Sequence, residues 1–293
     1  MKTVNSLSGG KTSSYIAANY PADYNVFALV RTNDTKCMFP DAKIRQVVSD
    51  RIGKEFIGTL EDDTIIYTML DLEQYIGTKI DWLSADTFDE ICKRTKKDGN
   101  PSIYIPNASM RFCTIDMKIM PISQWVYDNI NAPVKMRIGF RANEQGRAKS
   151  MMNRCNEEGF EYVKVIVGKS KNGNNKWETV KYRQPHFPLI EDNIYKDKVE
   201  LYWKDKDVRF SWMNNCVGCF HANPLLLKKQ SEKHPNKFNW FLEQEKKSAE
   251  HYKNRRWLGD LKKPTYEEIK NWKQQYELFD EDFNECDSGN CGI

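Results

Sequence analysis

The chain has 293 residues, of which 40% are hydrophobic and 29% are charged, and its formal net charge is only +4. This composition is that of a water-soluble globular protein, long enough for one large domain or two modest ones. The small net charge does not by itself indicate a nucleic-acid partner. No apolar run approaches the roughly 20 residues that span a bilayer, and no secretory signal is visible. We therefore expect a cytoplasmic protein without membrane contact.

The first 140 residues alternate strand-like and helix-like patterns. Strands are predicted at 3–7, 25–31, 54–57, 79–83 and 134–140. Helices are predicted between them at 12–20, 42–52, 64–76, 85–96 and 115–129. Such alternation predicts an α/β fold, with a parallel sheet, helices on both of its faces, and ligands at the carboxyl ends of the strands.

The pattern changes after about residue 142. A small hairpin is predicted from 161–167 and 178–182, followed by helices at 193–205, 225–233, 238–253 and 265–279. The last residues are acidic and lack apolar periodicity, which indicates a mobile tail. We expect an α/β domain over 1–170, a mostly helical region over 171–280 and a cysteine-containing tail over 281–293.

The segment SLSGGKTSS, residues 6–14, lies between the first predicted strand and the first predicted helix. Glycines let backbone amides approach an anion closely, and a helix N-terminus adds its positive end. The spacing matches neither the Walker loop nor the dinucleotide fingerprint, and a simple glycine turn is the alternative. The predicted phosphate-binding residues are Ser8, Gly9, Gly10, Lys11, Thr12 and Ser13.

Eight cysteines in a reducing compartment are not expected to form structural disulfides. Cys216 and Cys219 have the C-x-x-C spacing at which two thiolates ligate one metal centre. A redox dithiol and a pair of buried cysteines are the competing interpretations. The cysteines without a partner at ligand spacing are predicted to be core or surface thiols, namely Cys37, Cys92 and Cys155.

With these motifs, the chain resembles the PP-loop superfamily of N-type ATP pyrophosphatases, also called adenine nucleotide α-hydrolases. Within it, the chain is most similar to the phosphoadenosine phosphosulfate (PAPS) reductase family, in the divergent form often carried by phages. The S-G-G-x-x-S loop is followed, in the family's order, by VFALVRTND (26–34), RFCTIDMKIMPI (111–122), MRIGFRANE (136–144), HFPLIEDNIYKDKVELYW (186–203) and NNCVGCF (214–220). Thr12 stands where ATP-using members commonly have Asp, and Asp192 where many members have Trp. The resemblance implies a Rossmann-like sheet of the HUP type.

The resemblance also implies an adenine nucleotide, bound by the loop together with Arg31, Asp34, Gly139 and Arg141. Arg141 would lie near the α-phosphate, and Asp34 would accept from a ribose hydroxyl or hold Mg²⁺. Lys11 favours ATP over PAPS, because a cation in the loop neutralises departing pyrophosphate. Lys11 and Arg141 are therefore the expected catalytic cations, and Mg²⁺ is expected with ATP.

A cluster cysteine is implied at Cys113, together with Cys216 and Cys219. Iron–sulfur members carry two adjacent cysteines there, whereas Phe112 occupies the second place in this chain. Three thiolates favour a [4Fe–4S] cluster, with its fourth position open or supplied from the tail. Zinc held by the same cysteines, with His221 nearby, and no metal at all are the alternatives. Lys118 would reach a phosphate or a sulfur of the cluster.

PAPS reductases place a nucleophilic cysteine on a C-terminal tail, which makes Cys286 and Cys291 candidate catalytic thiols. Such a thiol attacks a sulfonyl sulfur and is released by thiol exchange, although acidic neighbours make it a weaker candidate by raising its pKa. A resolvable disulfide between the two cysteines, and a disordered acidic tail with incidental thiols, are the alternatives. The leading expectation is an enzyme that cleaves ATP to AMP and pyrophosphate to adenylate an acceptor, coupled to sulfur or redox chemistry at the cysteines. A sulfonucleotide reductase and a non-catalytic regulatory or defence-related nucleotide-binding module are the alternatives.

A basic stretch at 228–256 raises the prospect of a nucleic-acid acceptor. It carries nine Lys or Arg against four Glu, with Trp240, Phe241 and Tyr252 among them. Basic residues interleaved with aromatic ones bind single-stranded nucleic acid. An amphipathic helix with its apolar face in the core is the alternative.

Overall fold

The fold is given by a computed structural model of the chain, which describes residues 1–107, 110–251 and 264–273. The strands are β1 (Thr3–Leu7), β2 (Tyr24–Ala28), β3 (Ile80–Leu83), β4 (Lys93–Thr95), β5 (Pro101–Ile103), β6 (Val134–Arg137), β7 (Glu161–Lys169) and β8 (Asn175–His186). The helices are α1 (Lys11–Asn19), α2 (Ala42–Ile52), α3 (Thr64–Ile76), α4 (Phe88–Ile91), α5 (Phe112–Thr114), α6 (Met120–Asn129), α7 (Gln145–Met152), α8 (Pro188–Glu191), α9 (Lys196–Trp203), α10 (Pro224–Lys233), α11 (Pro235–His251) and α12 (Tyr266–Asn271).

In the described residues, six strands form one sheet in the order β3-β2-β1-β6-β8-β7. The neighbours from β3 to β8 are parallel, and only the edge strand β7 is antiparallel. The parallel strands thus follow the Rossmann-like order 3-2-1-4-5, which reverses between β1 and β6. Four consecutive residues of β1 are buried, so both of its faces are covered. The predicted α/β fold with a mostly parallel sheet is confirmed.

Several elements begin and end at the predicted residues, because residues next to them in the sequence set their ends. Strand β1 and helices α2 and α3 begin and end where the pattern placed them. Helix α2 illustrates why: the Asp41 carboxylate accepts hydrogen bonds from the backbone N–H groups of Lys43 and Ile44, at 2.8 and 3.1 Å. Gly53, in the left-handed conformation at φ 64°, ends the helix.

Other elements differ from the sequence prediction. The helix predicted at 85–96 shrinks to α4, and the following residues form β4, which pairs with β5 in a two-stranded sheet. The strand predicted at 54–57 forms no ladder, and only Gly58 makes isolated bridges, to Thr32 and Met38. The helix predicted at 115–129 begins as a π-helical turn, Ile115–Ile119, before α6. Long-range partners decide these segments, as in the bond from Tyr104 N–H to the Cys92 carbonyl at 2.8 Å.

The chain divides into two compact units, each built from separate segments. The sheet unit comprises Met1–Ala28, Thr64–Leu83 and Ile119–Ser211, and holds the six-stranded sheet. The helical unit comprises Leu29–Asp63, Ser84–Lys118 and the described residues from Trp212 onward. This differs from the predicted division at residue 170, because β8 pairs with β6 and so keeps residues beyond 170 in the sheet unit. The predicted tail, 281–293, lies outside the described residues.

The helical unit has a core that includes Trp240 and Phe241, which are 2% and 0% exposed. These two rings therefore cannot stack on nucleic-acid bases, and the interface predicted for 228–256 is wrong in this respect. The amphipathic-helix alternative describes them instead. Tyr252, the third aromatic residue of that prediction, lies outside the described residues. In the described residues, no helix is both long and apolar enough to cross a membrane.

Candidate functional site

The predicted phosphate loop connects β1 to α1 in the sheet unit. Gly9 has φ 81°, a conformation that side chains strongly disfavour. A Cβ at Gly9 would also lie 2.5 Å from Cγ2 of Ile65 on α3. Backbone conformation and close packing therefore both require glycine at this position.

The first turn of α1 faces the loop with its backbone amides. Gly10 is the N-cap residue and has no side chain to satisfy them, and the turn contains no acidic residue. The Ser13 hydroxyl donates to the Gly10 carbonyl at 3.1 Å and accepts from the Ser8 N–H at 3.2 Å. Ser13 therefore holds the shape of the loop, while the first-turn amides remain available to an anion.

Gly139 meets this loop from the neighbouring strand. It follows β6, which pairs with β1. A Cβ at Gly139 would lie 3.4 Å from Cγ2 of Thr12 and 3.5 Å from the backbone nitrogen of Ser13. The structure thus brings together two segments that are more than a hundred residues apart in the chain, at the reversal in strand order where such sheets bind ligands.

Arg141 follows two residues later and is held by Glu144. Its backbone N–H and its Nε donate to Oε2 of Glu144 at 2.8 and 3.1 Å, and its side chain is 20% exposed. Glu144 also pairs with Arg147. Contact between Arg141 and a nucleotide stays a prediction.

Lys11 is held by helix α9. Its ammonium group pairs with the carboxylate of Glu200, and the Trp203 indole N–H donates to the Lys11 carbonyl at 2.9 Å. The side chains of Lys11 and Glu200 are 36% and 43% exposed. An ion pair this exposed contributes about 0–1 kcal/mol, so a phosphate group can take the place of Glu200.

Arg31 and Asp34 belong to the helical unit. Arg31 is 7% exposed, and its guanidinium donates to the carbonyls of Glu55 and Ala85 at 2.9 and 2.8 Å and to the Ser84 hydroxyl. The Asp34 carboxylate accepts from the Lys36 N–H at 2.8 Å. In this structure both side chains stabilise loops, and their predicted role in nucleotide binding stays a prediction.

A cavity lies within the helical unit. Its lining contains all three predicted metal ligands, Cys113, Cys216 and Cys219. The other lining residues are Val30, Phe88, Thr114, Met117, Lys118, Gly218, Phe220, His221 and Phe241. The structure therefore brings together cysteines that are about a hundred residues apart in sequence.

Close packing builds the C-x-x-C loop. A Cβ at Gly218 would lie 2.2 Å from Cγ of Phe241, so this position too accepts only glycine. The Val217 N–H donates to the Leu60 carbonyl at 2.8 Å, and the buried Tyr266 hydroxyl donates to the Gly218 carbonyl. Burial raises the pKa of Tyr266 well above its ordinary value, and the charges of nearby groups raise it further. The Tyr266 hydroxyl therefore remains protonated and acts as a donor.

The donor set of the cavity fits a thiolate-bound group. Thiolates are the usual ligands of iron–sulfur clusters, and they also suit zinc. In the described ranges, no three His, Cys, Asp or Glu side chains stand close enough together to hold a single metal ion. Cys286 and Cys291, candidates for the fourth position, lie outside those ranges.

A group of buried acids in the helical unit was missed by the sequence analysis. Glu61 is 1% exposed and pairs with Lys118 of the cavity lining at 3.1 Å. The Lys237 ammonium donates to the Glu61 carbonyl and to the Asp63 carboxylate, both at 2.7 Å. The only signal in the sequence was three consecutive acids after an apolar residue. Lys118 is thus a cation held at the cavity by a buried carboxylate.

The cysteines assigned to the core or surface occupy such places. Cys37 and Cys92 are 2% and 1% exposed within the core of the helical unit. Burial raises the pKa of Cys37 to about 12, so it remains a thiol. Burial also raises the pKa of Cys92, and a smaller effect comes from nearby Cys113. Cys155 is only partly buried.

Comparison with known proteins gives one distant likeness. No protein-family model matches the chain, and no curated protein matches it. Among solved structures, the U34-tRNA thiolase NcsA from Methanococcus maripaludis, with its [4Fe–4S] cluster, is similar over 94% of this chain and 82% of its own, with 14% identity and a TM-score of 0.34. A likeness at this level does not assign an activity, so the proposals below are argued from the residues of this chain.

Proposed function

We propose that this chain is a PP-loop enzyme that binds ATP at the loop of residues 8–13 and cleaves it to AMP and pyrophosphate, adenylating an acceptor. The supporting observation is the meeting of the loop and Gly139 at the reversal of strand order. Gly9 is required by its φ of 81° and by its closeness to Ile65. The first turn of α1 has no side-chain cap and no acidic residue, which suits an anion.

The charges around the loop favour a triphosphate. Lys11 stands at the first turn of α1, and its partner Glu200 is exposed enough to release it. The β- and γ-phosphates of ATP offer Lys11 a stronger partner than one carboxylate. In the reaction, an acceptor oxygen or sulfur bonds to the α-phosphorus, and the bond from that phosphorus to the bridging oxygen of pyrophosphate breaks. Lys11 neutralises the charge that develops on the pyrophosphate. Mg²⁺ is expected to bind mainly through the phosphates.

The cavity cysteines would hold a [4Fe–4S] cluster, through Cys113, Cys216 and Cys219. The observation in favour is their presence on one cavity lining, together with the cation Lys118. Such a cluster supplies electrons or handles sulfide when bound. This chain's own contribution is to exclude water with the buried rings around the C-x-x-C loop and to hold the loop through Tyr266 and Leu60.

Calorimetry with ATP, AMP and PAPS tests the nucleotide assignment. ATP should bind more tightly than PAPS, and Lys11→Ala should weaken ATP binding but affect AMP much less. Lys79→Ala is the matched control, because this exposed lysine of the sheet unit lies outside the loop. Tenfold tighter binding of PAPS, about 1.4 kcal/mol, would support the sulfonucleotide reductase instead. ATP binding without pyrophosphate release, with candidate acceptors present, would support a non-catalytic module.

Anaerobic purification with iron and sulfide analysis tests the cluster. Cys113→Ser, Cys216→Ser and Cys219→Ser should each lower bound iron and sulfide, while Cys155→Ser should not. If the purified protein contains zinc instead of iron, and the same variants lose that zinc, the cysteines form a zinc site and not an iron–sulfur cluster. Full metal content in Cys216→Ser would remove the ligand assignment.

A further inference from the structure

The hairpin of β7 and β8 carries an exposed face with an unusual composition. Cross-strand partners in its regular part are Tyr162 with Lys181, Lys164 with Thr179, and Ile166 with Trp177. Residues paired in this way point to the same side of the sheet. One face therefore has three successive rows of side chains: an aromatic with a lysine, a lysine with a threonine, and an isoleucine with an aromatic.

Burial shows that this face is the one turned to solvent. Tyr162 and Trp177 are 45% and 43% exposed, and Lys164 and Lys181 are exposed as well. On the opposite side, Val165 is 1% exposed. Helix α6 packs against β7. The Gln124 side-chain amide on α6 accepts a hydrogen bond from the Ile166 N–H at 2.8 Å and donates one to the Ile166 carbonyl at 3.0 Å.

The charge of the hairpin is mainly positive. Residues 161–186 carry five lysines and one arginine against two acids, Glu161 and Glu178. Three of these cations are ion-paired: Lys176 with Glu178, Lys181 with Glu158, and Arg183 with Glu161. Lysines on the edge strand of a sheet also discourage pairing with other chains. Avoiding such pairing explains the lysines but not the two large aromatic rings on the same face. Exposed rings forgo the stabilisation that burial would give them, so their exposure calls for another explanation.

We propose that the exposed face of the β7–β8 hairpin binds single-stranded nucleic acid, with Tyr162 and Trp177 stacking on bases and the lysines contacting phosphates. The two rings are separated by four residues of β7, or about 13 Å at about 3.3 Å per residue. Lys164 stands between them. Aromatic side chains on a sheet face, with cations between and around them, suit unpaired bases, whose rings are accessible, better than a duplex, whose bases are stacked inside.

This inference is independent of the proposed ATP chemistry. It places a nucleic-acid contact on a segment different from the basic stretch at 228–256, two of whose aromatic residues are in the core. The binding test contains no nucleoside triphosphate. A negative result would therefore leave the proposed ATP cleavage untouched, and failure of the ATP experiments would leave this inference untouched.

The test uses fluorescence anisotropy of the full chain with a labelled uridine dodecamer, a thymidine dodecamer and a duplex of equal length. The single strands should bind more tightly than the duplex. Tyr162→Ala and Trp177→Ala should each weaken binding on the order of tenfold. Trp272→Ala, which removes another partly exposed tryptophan (36%), is the matched control and should change nothing.

The lysines are tested separately through salt. Lys164→Glu should weaken binding and lower the slope of log affinity against log salt by about 0.7 or more, as expected for one lost phosphate contact to a single strand. Circular dichroism verifies that each variant is folded. Binding unaffected by Trp177→Ala, duplex bound as tightly as single strands, or no binding at low salt would each overturn the proposal.

Discussion

Replacing Gly9 by alanine tests the loop geometry most directly. The change adds a Cβ at φ 81°, which costs about 1–2 kcal/mol in backbone strain. The added carbon would also lie 2.5 Å from Cγ2 of Ile65, and overpacking of this kind costs about 1–3 kcal/mol. The free energy of unfolding should therefore fall by about 2–5 kcal/mol, and ATP binding should be lost because the loop must move.

Gly77→Ala is the matched control for the backbone part of this cost. Gly77 has φ 62° and nothing within 4 Å of an added Cβ, and it lies in the same unit. Its alanine variant should lose only about 1–2 kcal/mol and keep ATP binding. The gain in stability from the stiffer unfolded chain is the same in both variants, so their difference isolates the contact with Ile65.

Urea denaturation and calorimetry measure the two effects, and a second substitution sharpens them. Ile65→Ala removes the contacted carbon, so the Gly9→Ala/Ile65→Ala pair should be less destabilised than the sum of the single variants. A Gly9→Ala variant as stable as Gly77→Ala, with unchanged ATP affinity, would refute both the packing argument and the assignment of the loop.

Three further outcomes are expected. Glu200→Gln should strengthen ATP binding by up to about fivefold without changing AMP binding, because a partly exposed ion pair worth at most about 1 kcal/mol no longer competes for Lys11; weaker ATP binding in calorimetry would contradict this. Gly218→Ala should destabilise the protein by about 1–3 kcal/mol or more in urea denaturation, because its Cβ overlaps Phe241, and unchanged stability would disprove the packing. Burial lowers the pKa of His186 in the folded protein, so the unfolded chain binds the proton more readily. The free energy of unfolding should therefore fall as the pH drops below about 6.5, the ordinary pKa of histidine. His186→Gln should flatten this dependence, and equal pH profiles of the two proteins would show that His186 plays no part.

The sequence by itself determined the elements that close their own hydrogen bonds locally. The bounds of α2 follow from the Asp41 cap and the left-handed Gly53, whose geometry involves only neighbouring residues. The tight loop between β1 and α1 was likewise predictable, since a strand, two glycines and a helix start lie next to one another in the chain, while phosphate binding by this loop stays a prediction. The candidate cysteines were visible through their spacing.

Only the tertiary structure decided how distant segments meet. Strand β8 pairs at one end with β7 and at the other with β6, so one strand serves both the hairpin and the parallel sheet, and the predicted boundary at residue 170 disappears. Local propensity indicates that a segment forms a strand, but the choice of its partner depends on burial along the whole chain.

The tertiary structure also decided which charged residues pair with one another. The pairing of Glu61 with Lys118, and the placement of Lys118 on the cysteine cavity, join residues 57 positions apart. A run of acids in a sequence normally indicates a solvated surface, and only enclosure by the helical unit makes Glu61 a buried anion that requires a partner. Burial is a property of the folded chain, and for that reason neither the pair nor the exposed aromatic face of the hairpin was predictable from residue order.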